Sequence, residues 1–199
     1  MVEKVLMRQN PSRISYYVGD DFYQSLVDSF KDWHDEERQI TDPSIIFPCQ
    51  ILLEKEARLL DQNRLDDWLN LYIPECVYWV PATAPAGDPR EEIAVCFDDR
   101  RRLEDRIYRL KNEFSWSQQP RSRTARLVNN VTAFSTENTN VLMIYATFLI
   151  TEFQAGDKRT YTGWYGHKIR SKNNQWDIVA KQVNLIDCDQ NLRNLSIIL

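Results

Sequence analysis

The sequence predicts an α+β fold, and three observations carry that prediction: apolar residues at helical spacing in the first half, four long strand-like runs in the second, and short turn-rich gaps between those runs. The central run, Asn140 to Thr151, is the longest stretch without a charge. Read as a strand, it sends Val141, Met143, Tyr145 and Leu149 to one face and Leu142, Ile144, Ala146, Phe148 and Ile150 to the other. Both faces therefore need cover. Thr136–Thr139 opens the run and Ala155-Gly156-Asp157 closes it, which favours a strand over a buried helix.

The elements follow in order. Residues 1 to about 20, with Pro11 and Gly19, read as an irregular arm. Phe22, Leu26, Phe30 and Trp33 then fall at helical spacing, giving residues 1–40 as an arm with a short helix and 41–199 as one α+β domain. Asp42-Pro43 is a helix start, since aspartate caps the free amides and proline at the first position loses no bond. The stripe beyond it contains Leu52, Leu53, Glu56, Leu59 and Leu60, with Pro48 as an internal kink or a delayed start. Asn63 separates a second helix carrying Leu65, Trp68, Leu69 and Tyr72, which Pro74 ends. Cys76–Pro81 and Ile93–Phe97 read as strands, divided by a loop containing Pro85, Gly87 and Pro89. The third helix, Asp99–Leu110, has Leu103, Ile107 and Leu110 as its apolar stripe; its five arginines, mixed with Glu104 and Asp105, predict a salt-bridged face. Runs over 124–134, 141–153, 158–170 and 175–186 complete an antiparallel meander. The apolar ending Ile197-Ile198-Leu199 needs to dock on this domain or on a partner.

Composition narrows the function. A 199-residue chain with 43% hydrophobic and 27% charged residues has a globular make-up, and a net charge of -4 speaks against a nucleic-acid binder. Without a signal-like start or a run long enough to span a bilayer, the expectation is a cytoplasmic protein with no membrane partner. Cys49, Cys76, Cys96 and Cys188 match no metal spacing and read as small buried hydrophobes. No phosphate-binding glycine motif is present. Trp33-His34-Asp35-Glu36-Glu37 reads as a solvated helix end, because one histidine among carboxylates is a poor transition-metal site. One acid–base arrangement remains for weighing. Tyr161, Tyr165, His167 and Ile169 share a strand face, and His167 and Tyr165 with Asp67 (or Asp99) form a candidate pocket for a free-standing lyase or isomerase. A histidine packed in a sheet with satisfied nitrogens is the ordinary alternative.

The order and spacing of several short motifs carry a resemblance. These are Glu56–Asp61, Trp68–Tyr72, Tyr78–Pro81, Asp98–Arg100, Leu103–Arg106, Trp116–Thr124, Leu127–Val131 and Asn194–Leu199. In these the chain resembles the small, or beta, subunits of Rieske-type aromatic-ring-hydroxylating dioxygenases, over roughly residues 45 to 199. The resemblance implies a cone-like fold similar to scytalone dehydratase and ketosteroid isomerase, in which a strongly bent antiparallel sheet wraps about three helices. It also implies a large catalytic (alpha) subunit as partner, bearing a Rieske [2Fe-2S] cluster and a mononuclear iron, and a hexamer of three large and three small subunits. A generic homotrimeric scaffold is a third reading. This chain has only His34 and His167, and no cysteine is followed by histidine at two or three positions, so it is expected to hold no catalytic residue, cofactor or metal itself. Candidate subunit-interface residues are Trp116, Arg121, Arg123 and Arg126, in the arginine-rich segment, with Ile197, Ile198 and Leu199.

Overall fold

The computed structural model describes residues 19–111, 116–172, 175–192 and 195–199. The expected arm therefore lies almost wholly outside the described residues, but the helix after it does not: α1 spans Asp20–Phe30. A two-residue strand, β1 (Gln39–Ile40), precedes α2 (Pro43–Asp61), whose Asp42 carboxylate accepts the Ser44 amide at 2.8 Å as the cap requires. Pro48 sits inside α2 without ending it. Asn63, at φ 55, turns the chain into α3 (Leu65–Leu69).

Tyr72 departs from expectation. It continues the helical spacing of Leu65, Trp68 and Leu69, yet it opens β2 (Tyr72–Pro81) and pairs with Ile178. Periodicity extended the helix because the first strand residue falls in phase with it. Then come β3 (Ala94–Asp99), α4 (Arg100–Lys111), β4 (Arg123–Ser135), β5 (Val141–Gln154), β6 (Asp157–Lys172) and β7 (Gln175–Leu185).

The seven strands form one bent sheet in the order β1-β4-β5-β6-β7-β2-β3. The meander β4 to β7 is antiparallel throughout, and the β5–β6 turn is tight because Ala155 and Gly156 both take positive φ (51° and 86°), matching the strand twist. Two pairings were not legible beforehand: β2 runs parallel to β7, and β1 adds to the edge of β4. Interruptions in register at Asn129/Thr132 and Lys168/Ile169 mark irregularities of the kind that bend strands.

One face of β5 is covered throughout and the other in part. Leu142, Ile144, Ala146, Phe148 and Ile150 enter the main core with the apolar stripes of α2, α3 and α4. On the opposite face Met143 packs with Trp33 and Phe134, while Leu26 of α1 packs with Val77, Trp79 and Ala180. Part of the cover that this face needs thus comes from the chain's own N-terminal segment. Burying a leucine such as Leu26 is worth about 2–3 kcal/mol, so α1 is integral to the sheet. Leu127, Leu149 and Phe153 remain exposed farther along that face.

Candidate functional site

The buried stripe of α2 contains one charged residue among Cys49, Leu52, Leu53, Leu59 and Leu60: Glu56, 2% exposed. A lone carboxylate in such a place needs donors, because an uncompensated buried charge is costly. The sheet and α3 supply four. Glu56 Oε1 accepts Trp68 Nε1 at 3.1 Å and Tyr72 Oη at 2.9 Å. Its Oε2 accepts His167 Nε2 at 3.1 Å and Lys181 Nζ at 3.0 Å. His167 and Lys181 stand opposite each other on β6 and β7, which is why both reach the same oxygen. Both are buried, and the Lys181 ammonium also lies 4.0 Å from the Tyr165 ring centroid.

Electrostatics fix the protonation pattern. Burial by itself raises the Glu56 carboxyl, but Lys181 and the His167 hydrogen bond overcome this and hold it well below the ordinary carboxylate range. Burial pushes the His167 imidazole down, against the opposing pull of Glu56, and also lowers Lys181. A carboxylate only accepts, so neutral His167 donates from Nε2 and keeps a lone pair on Nδ1. Among the described residues that Nδ1 is buried without a hydrogen-bond partner, as is Tyr165 Oη.

The tail lies over this cluster. Lys181 Nζ also donates to the Leu199 main-chain oxygen at 3.1 Å, Tyr78 Oη donates to it at 3.2 Å, and the Leu199 amide donates to Tyr78 Oη at 3.0 Å. Arg126 donates to the Ile198 carbonyl and to Asp61, and Gln118 Nε2 donates to Ser196 Oγ at 2.8 Å. Ile197, Ile198 and Leu199 are buried in the main core. A short helical turn, Trp116–Gln118, is tied to β5 by Gln154 Nε2, which donates to Ser117 O at 2.8 Å and Pro120 O at 2.9 Å. Beside it, Arg123 sits over Phe153, 4.8 Å from the ring centroid.

The sequence-derived candidates therefore divide. His167 and Tyr165 do come together, with ring centroids 5.6 Å apart. Asp67 does not join them; it lies half exposed and pairs with Arg64 at 2.7 Å. The partner of His167 is Glu56, whose signal was a carboxylate within an apolar stripe, and Lys181 carried the matching signal in the apolar run Ile178 to Val183. Among the interface candidates, Trp116 (89% exposed), Arg121 and Arg123 are on the surface. Arg126, Ile197, Ile198 and Leu199 instead serve the interior of this chain, because Arg126 is needed to satisfy Asp61 and the tail carbonyl.

The metals expected of a dioxygenase do not fit these residues. The four cysteines are buried and free, His34 packs against Trp33 and Trp164, and His167 shares its carboxylate with a lysine ammonium that would repel a cation. Among the described residues no three His, Cys, Asp or Glu side chains gather as a metal site. No helix among them is long and apolar enough to cross a membrane.

A bent sheet enclosing helices, with a polar cluster at its centre, defines a cone-shaped α+β class. An NTF2-like protein with a cystatin-like fold from Novosphingobium aromaticivorans shares it at TM-score 0.52 and 13% identity, covering 85% of this chain and 93% of that one. Within that class, residues 55–190 match the family described as ring hydroxylating beta subunit, and the chain belongs to that family. It is 35% identical over 136 residues to the small oxygenase component of the p-cumate 2,3-dioxygenase system of Pseudomonas putida, covering 66% of this chain and 73% of that one. It is also similar to the beta subunit of benzoate 1,2-dioxygenase from Burkholderia mallei, at TM-score 0.62 and 27% identity, over 75% of this chain and 95% of the other.

Proposed function

We propose that the chain is the non-catalytic small subunit of an aromatic-ring-dihydroxylating dioxygenase, a cytoplasmic oxidoreductase of aromatic compound degradation. Its part is to assemble and steady a large subunit that carries the Rieske [2Fe-2S] cluster and the mononuclear iron, three of each chain forming a hexamer. The observation that carries this reading, beside the family, is the closure of the polar centre. Glu56, His167 and Lys181 are at most 2% exposed, both carboxylate oxygens are engaged, and Leu199 lies over them. A lyase or isomerase would need those groups open to substrate.

The partner surface is the exposed rim around Trp116, Arg121 and Arg123, continuing over Phe153 and Leu149 to Leu127. An aromatic and an arginine next to uncovered aliphatic side chains is the make-up of an interface anchor. The test is co-purification of the large subunit with Trp116→Ala/Arg123→Ala. The expected result is at least a tenfold loss of co-eluting large subunit with the small chain still folded; unchanged co-elution contradicts the surface assignment.

A further inference from the structure

The tail does more than cap the core, for its contacts have the form of a ligand in a pocket. Leu199 presents one apolar branched side chain, fully buried, and one oxygen held by two donors from different strands, Lys181 Nζ at 3.1 Å and Tyr78 Oη at 3.2 Å. Lys181 is not needed at that oxygen to be paired, since Glu56 already holds it at 3.0 Å. On β6, which pairs with the strand carrying Lys181, Tyr165 Oη and His167 Nδ1 are buried without hydrogen-bond partners among the described residues, polar atoms that a tightly optimised structural core would have paired or omitted. Arg126 and Gln118 anchor the tail along its length from outside this cluster, whereas Lys181 belongs both to the cluster and to the hold on Leu199.

We propose that the room filled by Leu199 is a binding site for a small branched apolar molecule bearing one acyl oxygen, an amide or a carboxylate, and that the segment 195–199 is its built-in occupant. The acyl oxygen takes the place of the Leu199 oxygen on Lys181 and Tyr78, and the hydrocarbon takes the place of the isobutyl group. Displacing the segment opens the site; returning it closes the site.

The experiment uses the full-length Leu199→Lys variant, in which a second cation next to Lys181 expels the segment, and Leu199→Ala as a smaller lesion. The probes are 4-methylpentanamide and 4-methylpentanoate, which reproduce the leucine side chain and its acyl oxygen in neutral and charged form. Thermal unfolding is followed against probe concentration. The expected result is a saturable rise in melting temperature in the Leu199 variants, absent from the parent chain, with the half-saturating concentration raised at least fivefold when Tyr78→Phe is added. Stabilisation by either probe supports the site, and the better of the two identifies the charge of the acyl group it takes. The proposal is overturned if neither probe stabilises either variant, if parent and variants respond alike, or if Tyr78→Phe leaves the half-saturating concentration unchanged. A Leu199→Lys chain that stays unfolded with probe present, together with an unresponsive Leu199→Ala chain, overturns it as well.

Discussion

Glu56 on α2 and Lys181 on β7 meet 3.0 Å apart in the interior, 125 positions apart in sequence, and neither side chain reaches solvent. The pair joins the helical layer to the sheet. Taking two charges out of water is costly, and the geometry offsets that cost only while both partners and their hydrogen bonds remain.

Removing one partner should therefore hurt far more than removing both. Lys181→Met leaves the Glu56 carboxylate with neutral donors only, and the expected loss is about 3–5 kcal/mol in denaturant unfolding. Adding Glu56→Gln to that background should recover a large part of it. A double variant as unstable as the sum of the singles would show that the two charges do not interact.

The same cluster sets the pH response. His167 is held below its ordinary 6.5 and Glu56 below its ordinary 4.5, so in both cases the unfolded chain binds more protons than the folded one as pH falls. Stability contributed by these groups is present above pH 6.5, declines first through the histidine and then, below 4.5, through the carboxylate. The slope for each group is at most about 1.4 kcal/mol per pH unit. Unfolding titrations from pH 8 to 4 should show the first decline in the parent chain and lose it in His167→Gln; a parent chain whose stability is flat between pH 7 and 5 contradicts this.

Gly163 offers a steric test of the β6–β7 pairing. A Cβ at this position would fall 1.9 Å from the Asn184 carbonyl oxygen, which is main chain and has no rotamer to yield. Gly163→Ala should cost about 1–3 kcal/mol or more through forced backbone movement. Gly19, where nothing lies within 4 Å, is the control, and Gly19→Ala should leave the melting temperature within error.

How much of this was legible in the sequence depends on range. The four meander strands were, because each is a long run closed by turn residues, and Ala155-Gly156 falls where a hairpin needs positive φ. The start of α2 was legible from Asp42-Pro43, a cap whose chemistry is local. The parallel pairing of β2 with β7 was not, since register between strands about 100 positions apart leaves no local mark. For the same reason Asp67 stood in for Glu56 as the partner of His167: both acids are plausible on helical spacing, and only the sheet's bend decides which one faces β6. Arg123 and Arg126 looked alike in sequence, and the alternation of β4 separates the exposed Arg123 from Arg126, whose side chain is buried, only once its inner face is known.

The central claim is that this chain supports a metal-bearing partner without binding metal itself. Native mass spectrometry of the chain co-expressed with its large subunit tests that most directly, because one spectrum gives both stoichiometry and metal load. The account predicts a complex of three small and three large chains that releases the small chain on activation at its metal-free mass, with all iron retained on the large chain. A small chain that never joins the complex, or that leaves it carrying iron, would contradict the account.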